Sequence, residues 1–307
     1  MPRFSIIIPC YNAAATLPAT LASLVAQTDS DWEAICVDDG SSDDTRRIVR
    51  EAAADDRRIH LVRNTGKGPS MARNLGAIAM ASGEIVAFCD ADDLWVKDKL
   101  AQLRVALADD AIDGVFGRIG FFRDTPRDAK VFSTVPSGDL TIDMLLGENP
   151  VCTMSNLAIR HEAVVASGGF DTEMVHNEDL EWLIRLVGGG ARLVGVDALH
   201  TWYRTSDSGL SANLPAMLAG REQALATALR FGVEPSRASH AVHHRYLARR
   251  ALRLSHGRIA PLRHALSGLA HSPAGFMTPL HRGGLTLAGS LAATFLPQGV
   301  SRKLFSR

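Results

Sequence analysis

The first 107 residues alternate between two hydrophobic periods, and this alternation limits the possible folds more than any other feature of the chain. Four short apolar runs are continuous enough to be strands buried on both faces, and they lie at 4–9, 32–37, 59–62 and 85–89. Helical spacing of apolar residues follows these runs, at 17–25, 44–53, 69–81 and 96–107. Such alternation predicts right-handed βαβ crossovers and a parallel sheet in an α/β fold.

Residues 108–215 are less regular but continue the α/β pattern. A turn at 167–171 precedes an amphipathic helix that begins at about Glu178, and beyond residue 215 the sequence is helical. We therefore predict one domain at 1–215 and a separate helical region at 216–307. Further strands are expected at 115–122, 157–160, 194–196 and 201–204.

Charge divides the chain more sharply than hydrophobicity does. Hydrophobic residues make up 46% of the chain and charged residues 21%, which is typical of globular proteins and excludes wholesale disorder. The net charge is zero and does not indicate a nucleic-acid partner. However, residues 216–307 carry 13 Lys and Arg against two acids, Glu222 and Glu234, so the first 215 residues have a net charge of −11. The asymmetry indicates two regions with different neighbours.

The cysteines and the apolar stretches predict the cellular location of the chain. The four cysteines are scattered, with no C-x-x-C pair, which favours buried thiols in a reducing compartment. The N-terminal residues turn polar too early for a signal peptide. The longest apolar stretch, 284–296, is shorter than the roughly 20 residues that a spanning helix requires. We therefore expect a cytoplasmic location.

Acidic residues follow the fourth strand, at the edge where ligands bind in parallel sheets. Asp90 and Asp92 form a D-x-D sequence there, and one or two carboxylates together with substrate phosphates are a common way to hold Mg²⁺ or Mn²⁺. The alternative is that Asp92 or Asp93 caps a helix that begins near Leu94.

Polar residues after the second and third strands predict a nucleotide contact. Asp39 is suited to accept hydrogen bonds from a base or a ribose, although a plain turn at 38–41 is the alternative. Residues 64–68 are expected near phosphates, but Gly68 replaces the Ser or Thr of a phosphate-binding loop and no G-x-G-x-x-G follows the first strand. These departures disfavour a nucleotide hydrolase or a dehydrogenase. Arg73 is either a bidentate phosphate ligand or a surface arginine.

Four segments together resemble glycosyltransferase family 2, whose members have the nucleotide-sugar-binding GT-A fold. They are SIIIPCYN (5–12), VDDGSSDDT (37–45), NTGKGPSMARNLGAIAMASGEIVAFCDADD (64–93) and NEDLEWLIRL (177–186), in the order and at the spacing of that family. The resemblance covers residues 3–211. It implies a Rossmann-like mixed sheet flanked by helices, followed by the α-helical C-terminal region.

The resemblance also implies the role of each site residue. Asp179 corresponds to the catalytic base, and Asp92 is the expected direct ligand of the cation that bridges the diphosphate. Glu178, Trp182 and Arg204 are the candidates near the acceptor or the loop that closes over the donor. Glu178 either steers the acceptor or pairs with a neighbour, and Trp182 is either a core residue, which its apolar helix favours, or a sugar-stacking platform. The expected donor-binding residues are Pro9, Tyr11, Asp39, Asn64, Gly66, Arg73, Asp90 and Ala91, with Asp90 and Asp92 as the metal ligands.

Two departures from the family qualify this assignment. In the closing segment YRTSDSGLS (203–211), Ser206 stands where many members have His, which leaves His200 or Asp207 as substitutes. The Q-x-x-R-W motif of processive synthases is absent, which favours transfer of a single sugar.

Sugar transfer of this kind requires a catalytic group on each face of the sugar. A cation neutralises charge on the departing nucleoside diphosphate, and a carboxylate on the opposite face takes the proton of the incoming hydroxyl, which implies one displacement with inversion. The expected donor is a UDP-sugar, and the expected acceptor is a saccharide or a lipid-linked saccharide in surface polysaccharide assembly. The rivals are a non-catalytic saccharide-binding or nucleotide-sugar-binding module on the same fold, and a nucleotidyltransferase.

The basic C-terminal region has two interpretations of equal weight. A cationic helix together with apolar residues from Leu285 to Leu296 is typical of peripheral attachment to an anionic membrane. The alternative is a helical appendage that packs on the acidic domain or on a second subunit of a homo-oligomer.

Overall fold

The computed structural model describes residues 2–205, 214–254 and 257–305 of the chain. Their strands are β1 (Phe4–Cys10), β2 (Trp32–Asp38), β3 (Ile59–Arg63), β4 (Ile85–Phe88), β5 (Leu94–Trp95), β6 (Gly114–Phe122), β7 (Val131–Phe132), β8 (Leu157–Arg160) and β9 (Leu193–Arg204). The first seven helices are α1 (Leu17–Val25), α2 (Thr45–Asp55), α3 (Pro69–Asn74), α4 (Lys99–Ala106), α5 (Ile142–Gly147), α6 (His161–Ser167) and α7 (Glu178–Gly188). The others are α8 (Leu214–Arg230), α9 (Arg237–Leu254), α10 (Ala260–His271), α11 (Pro273–Met277), α12 (Leu280–Phe295) and α13 (Gln298–Phe305).

The chain forms two compact units. The first unit comprises Met1–Leu140 and Pro150–Thr227, and the second comprises Thr141–Asn149 and Ala228–Arg307. This division differs from the boundary predicted at residue 215, because α5 packs against α9 in the second unit and most of α8 belongs to the first. Among the described residues, no helix is both long and apolar enough to cross a membrane.

The first unit is built on a mixed sheet in the order β3-β2-β1-β4-β8-β6-β9-β5, with β7 paired to β6. The pairs β1–β2, β1–β4 and β2–β3 are parallel, as predicted, whereas β8 is antiparallel to both β4 and β6. Every residue of β4 is buried, and β1 is buried except for half-buried Pro9, because helices cover both faces of this part of the sheet. The four N-terminal strands are thus confirmed, as is the mixed sheet flanked by helices.

The expected helix near Leu94 is wrong, and with it the idea that Asp92 or Asp93 caps it. Leu94 and Trp95 form β5, which pairs antiparallel with Trp202 and Thr201 of β9. The amide of Val96 continues this ladder by donating to His200 O at 3.1 Å, so α4 begins only at Lys99. The apolar spacing at 96–107 therefore marked the helix correctly but misplaced its start.

Two other local predictions are corrected. The strands expected at 194–196 and 201–204 are one strand, β9, whose register against β6 shifts at Arg118, so that extra residues bulge between the two paired stretches. The helix expected at 69–81 begins as α3 and continues as a π-helical turn at Leu75–Met80. Of the cysteines, Cys10, Cys36 and Cys89 are buried as expected, whereas Cys152 is exposed.

The second unit consists of helices among the residues that the structure describes. Its core includes Ala241, Ala248, Ala265 and Phe276, drawn from α9, α10 and α11. Buried Arg245 ties α9 to the end of α11 by donating to Phe276 O at 3.0 Å and to Thr278 O. The unit's sequence carries twelve Lys and Arg against Asp143, Glu148 and Glu234, a net charge of +9, and the first unit carries −9.

Candidate functional site

The ends of β1, β2 and β4 lie at one edge of the sheet, since β1 is parallel to both of its neighbours. Cys10 pairs with Asp38, and Asp38 pairs with Arg63, so the segments that follow these strands begin side by side. Cys89 N donates to Ile7 O at 2.9 Å, which brings the D-x-D segment to the same edge. The parallel topology thus collects the expected site residues from distant parts of the first unit.

Asp38 and Asp39 have different roles at this edge. Asp38 holds the turn, because its carboxylate accepts from Gly40 N at 3.3 Å and Ser41 N at 3.1 Å, and Gly40 has a φ of +83°. Asp39 instead reaches the next loop, where it accepts from Asn64 Nδ2 at 2.7 Å and Gly68 N at 2.9 Å. The plain-turn interpretation is therefore right for Asp38 and wrong for Asp39.

Lys67 adds a cation beside this carboxylate. Its Nζ donates to Asp39 O at 2.7 Å and lies 4.5 Å from the centre of the Tyr11 ring. Tyr11 is 57% exposed, so its ring is available for stacking. Pro9 lies half-buried at the end of β1, and Gly66 N donates to Asn64 Oδ1 at 3.3 Å. The expected nucleotide-binding residues Tyr11, Asp39, Asn64 and Gly66 are thus brought together, with Lys67 as a member that the sequence analysis did not single out.

Asp90 is held from three directions. Arg73 Nη2 donates to Oδ1 at 2.9 Å, Thr153 Oγ1 donates to Oδ2 at 3.1 Å, and the amide of Asp90 donates to Ser155 Oγ at 2.8 Å. Thr153 and Ser155 lie in or beside a 3₁₀ turn at Met154–Asn156, in a stretch whose sequence carried no recognisable signal. The orientation of the first D-x-D carboxylate is therefore fixed by the protein.

The side chain of Asp92 has fewer hydrogen-bond partners than that of Asp90. Its half-buried carboxylate accepts no hydrogen bond from any other residue that the structure describes. Burial, and then the nearby charge of Asp90, raise its pKa to about 6. Between them, Ala91 is buried and its carbonyl accepts from Thr20 Oγ1 at 3.1 Å. A carboxylate whose charged form is disfavoured in this way, next to a second carboxylate, is suited to hold a divalent cation.

Asp93 and Lys99 form a buried polar layer beneath the D-x-D segment. Asp93 is fully buried and its Oδ1 accepts from Arg204 N at 2.9 Å, while burial raises its pKa well above the usual range. Lys99 is also fully buried, donates to Ser155 O at 2.6 Å, and has its pKa lowered to about 7 by burial. These residues connect the D-x-D segment with the end of β9.

Arg73 links the two acidic parts of the site. Its guanidinium is 7% exposed and donates to Asp90 at 2.9 Å and, through Nη1, to Glu178 Oε1 at 3.1 Å. Burial lowers the pKa of Arg73, but the charges of Asp90 and Glu178 outweigh it and raise the pKa overall. The surface interpretation of Arg73 is thus wrong, and its two terminal nitrogens are engaged by carboxylates.

Asp179 lies in the first turn of α7, next to the Glu178 that Arg73 holds. Burial, and then the charge of Glu178, raise the pKa of Asp179 to about 7, while Arg73 opposes this shift. A carboxylate with a pKa near the working pH is suited to take a proton from an attacking hydroxyl. The arrangement therefore offers a base on one side and the D-x-D carboxylates on the other, joined by a single arginine.

Two of the loop and acceptor predictions fall on residues with other environments, and a third stays at the site. Trp182 is fully buried, packs against Phe170 and donates through Nε1 to Ser167 Oγ at 2.9 Å, so the sugar-stacking role is wrong. His200 is also fully buried, and burial lowers its pKa to about 3, so it does not replace the missing loop histidine. Arg204 stays at the site, where its Nε donates to Asp92 O at 3.0 Å.

The rest of the predicted closing segment, including Ser206 and Asp207, lies outside the described residues. Within the described residues, no three His, Cys, Asp or Glu side chains group as a metal site. Asp90 and Asp92 remain as a two-carboxylate candidate, which is the partial coordination that Mg²⁺ accepts when phosphates complete it.

Comparisons with known proteins define the class. The structure of S. aureus TarS residues 1–349 in complex with UDP-GlcNAc matches with a TM-score of 0.62 at 16% identity, covering 99% of this chain and 90% of that one. The mannosyltransferase PcManGT from Pyrobaculum calidifontis, in complex with GDP-Man and Mn²⁺, matches with a TM-score of 0.60 at 22% identity, covering 99% and 84%. The fold is thus that of the GT-A glycosyltransferases.

Sequence comparison assigns the family. The family model "Glycosyl transferase family 2" matches residues 5–166. The E. coli glucosyltransferase WfgD is 32% identical over 211 residues, which cover 68% of this chain and 79% of WfgD. The E. coli glucosyltransferase WfaP is 27% identical and covers 69% and 81%. The chain belongs to glycosyltransferase family 2, which confirms the family resemblance and leaves the nucleotidyltransferase alternative without support.

Proposed function

We propose that this glycosyltransferase moves a single sugar from a UDP-sugar to a lipid-linked saccharide, with inversion, in bacterial surface polysaccharide assembly. WfgD and WfaP are each named as UDP-Glc:α-D-GlcNAc-diphosphoundecaprenol β-1,3-glucosyltransferase, and both match most of their length to this chain. The observation that carries the proposal is the bridge from Asp90 through Arg73 to Glu178. This bridge holds the D-x-D segment, which is proposed to bind the sugar donor, close to the start of α7, which carries the proposed base.

The nucleotide is proposed to lie between the first and third loops of the sheet edge. The ring of exposed Tyr11 is proposed to stack on the nucleotide base. Asp39 is proposed to accept hydrogen bonds from the same nucleotide base, which would replace one of the donors that Asp39 now has in the 64–68 loop. Lys67 places a positive charge beside that carboxylate, with Nζ 3.7 Å from Oδ2.

Asp90 and Asp92 are proposed to hold Mg²⁺ or Mn²⁺, and the Mn²⁺ in PcManGT is consistent with this. The unshared carboxylate of Asp92 and the fixed carboxylate of Asp90 fit a cation that lacks a full protein shell. When bound, such a cation neutralises negative charge on the departing diphosphate. The protein's own contribution is to keep Asp90 in place through Arg73 and Thr153.

Asp179 is proposed to take the proton of the acceptor hydroxyl as that hydroxyl attacks the sugar. Its raised pKa holds it partly protonated near neutral pH, so the base form increases as the pH rises through about 7. A base on the face opposite the leaving group gives one displacement and therefore inversion. Glu178 accepts the Arg73 bond and keeps the start of α7 next to the donor site.

The setting follows from the acceptor. We propose that the enzyme works in the cytoplasm at the inner face of the membrane, where a lipid-linked acceptor would be presented. Assembly into a homo-oligomer remains a prediction.

The test is to incubate the full chain with UDP-sugars, Mn²⁺ and a GlcNAc-diphospholipid acceptor, and to detect the product by mass spectrometry. NMR of the product gives the anomeric configuration, and an inverted configuration is expected. GDP-sugars and dTDP-sugars serve as comparison donors. A chain that binds UDP-sugars but produces no transfer with any acceptor would favour the non-catalytic module, and retention of configuration would refute the assigned base.

A further inference from the structure

Four large apolar side chains of the helix α12 are exposed, whereas Leu287 packs against the core of the second unit. Leu285 is 73% exposed and Phe295 is 85% exposed, although both are large enough to fill a core. At 100° per residue, the exposed residues fall on one side of the helix. We call this side the α12 outer face, and it consists of Leu280, His281, Leu285, Ala288, Leu291, Ala292 and Phe295.

The buried side of α12 is made of small residues. Gly283, Thr286, Gly289, Ser290 and Ala293 are buried there. A Cβ at Gly283 would lie 2.5 Å from Met277 Cα, so the helix packs too closely on α11 to accept larger side chains. This pattern is the reverse of an ordinary amphipathic surface helix, which turns its large apolar residues inward. The outer face is therefore not explained by the packing of the second unit.

The unit that carries this apolar face is positively charged. The second unit has a net charge of +9, and the outer face itself carries no Asp or Glu. The helix α10, which packs against α12, has exposed Arg263 and Leu266, and exposed Arg258 and Ile259 precede it. An apolar helix face on a positively charged unit is typical of helices that lie in the interface of an anionic membrane.

We propose that the α12 outer face inserts into the surface of an anionic bilayer, while Arg258 and Arg263 contact lipid phosphates. Charge favours this occupant over a symmetric contact between two α12 outer faces, because two units of +9 repel each other whereas an anionic bilayer attracts them. The inference extends the proposed function, since a lipid-linked acceptor is presented at such a surface. It depends only on the second unit.

Vesicle flotation of the full chain tests this assignment. Vesicles of phosphatidylcholine alone are compared with vesicles that also contain phosphatidylglycerol, at low and high salt. The chain is expected to float with the anionic vesicles at low salt, and to float less at high salt because the arginine–phosphate attraction is screened. Failure to bind anionic vesicles at low salt would overturn the proposal.

Matched variants locate the surface. The double variant Leu285→Ser/Phe295→Ser should need at least about tenfold more lipid for half-maximal binding, because two large apolar side chains no longer leave water. Arg258→Gln/Arg263→Gln should weaken binding to anionic vesicles and remove most of its salt dependence. The control Leu229→Ser/Phe231→Ser changes two other exposed apolar residues of the same unit and should bind as the parent does.

Three readouts separate the alternatives. All variants should keep the parent's circular dichroism and its affinity for UDP-sugars, so weaker flotation is not a folding defect. Equal loss of flotation in the control variant would overturn the assignment to α12. A dimer of the parent that Leu285→Ser/Phe295→Ser dissociates would also overturn it, in favour of a second copy. Vesicle binding without any transferase activity would refute the proposed function but leave this inference standing.

Discussion

Each unit has side chains whose burial is unusual for their chemistry. The first unit buries charged side chains, and the second exposes large apolar ones. The first unit buries charge, with Arg73, Asp93 and Lys99 each less than a tenth exposed. The second unit exposes large apolar residues on the α12 outer face while burying glycine and alanine beneath them. Buried charge requires a partner at every group, and exposed apolar surface requires a partner outside the chain. The partners of the buried charges in the first unit therefore lie within that unit, whereas the exposed apolar face of the second unit indicates a partner outside the chain.

The largest effect is expected from the central arginine of the first unit. Arg73→Met would leave the carboxylates of Asp90 and Glu178 without their shared cation, which should cost about 3–5 kcal/mol of unfolding free energy. All four tryptophans lie in the first unit, so urea denaturation followed by tryptophan fluorescence reports on that unit alone. The control Arg47→Met removes an exposed arginine with two acidic partners and should cost less than about 1 kcal/mol. Equal costs for the two variants would show that the bridge is not structural.

The base prediction concerns rate rather than stability. Asp179→Asn should lower kcat by about a thousandfold, which corresponds to about 4 kcal/mol, because a carboxamide does not accept the acceptor's proton. UDP-sugar affinity should stay unchanged, since Asp179 is proposed to act on the acceptor. The control Asp171→Asn makes the same chemical change at an exposed position. Transfer at the parental rate would eliminate Asp179 as the base.

A smaller effect is expected from the buried arginine of the second unit. Arg245→Met would leave the carbonyls of Phe276 and Thr278 without their donor, which should cost about 2 kcal/mol. The loss should appear in far-ultraviolet circular dichroism and not in tryptophan fluorescence, because the second unit has no tryptophan. Arg253→Met, at an exposed position of the same helix, is the control. Loss of UDP-sugar binding in Arg245→Met would contradict the separation of the two units.

The two units also differ in how far the sequence predicts them. The parallel strands β1, β2 and β4 are nearly continuous runs of buried residues, so their place and the edge they form followed from pattern alone. β5 did not, because two residues held by Thr201 and Trp202 carry no period of their own. The same reason hid Thr153 and Ser155, whose bonds to Asp90 span more than sixty residues of sequence.

Motifs identified residue types at the site but not their environments. Asp39 was singled out by its position after a strand and Asp179 by the family resemblance, and the structure adds the Asn64 bond and the burial that raises the pKa of Asp179. Trp182 had two interpretations, because a tryptophan in an apolar helix and one in a sugar site have the same sequence pattern. Its contact with Phe170, which comes from a distant turn, distinguishes the two.

The pH dependence of the metal-free protein tests the D-x-D pair. The folded state raises the pKa of Asp92 to about 6, so the folded chain holds this proton more tightly than the unfolded chain. The corresponding stability is fully present below about pH 4 and is lost as the pH rises through about 6. Asp92→Asn should therefore be more stable than the parent at pH 8, by about 1 kcal/mol, and similar to it at pH 4. The control Asp55→Asn, at an exposed position, should show no such difference.

Bound Mn²⁺ should reverse the order of stability of the parent and Asp92→Asn. Mn²⁺ with UDP should raise the thermal unfolding temperature of the parent above that with UDP alone, and Asp92→Asn should lose the metal-dependent part. Equal Mn²⁺ responses in parent and variant would remove Asp92 from the proposed cation site.

The smallest expected effect compares the two sides of α12. Leu285→Ser should change the unfolding free energy in solution by less than about 0.5 kcal/mol, because its side chain already lies in water. Gly283→Ala, on the buried side, should cost about 1–3 kcal/mol, because the new Cβ would meet the Met277 backbone. The ordinary expectation for a surface helix is the reverse, since leucine normally stabilises and glycine is normally replaceable. Urea denaturation followed by circular dichroism measures both changes. If Leu285→Ser proved the more costly substitution, the large side chains of α12 would belong to the core of the second unit, and the outer face would no longer require a partner.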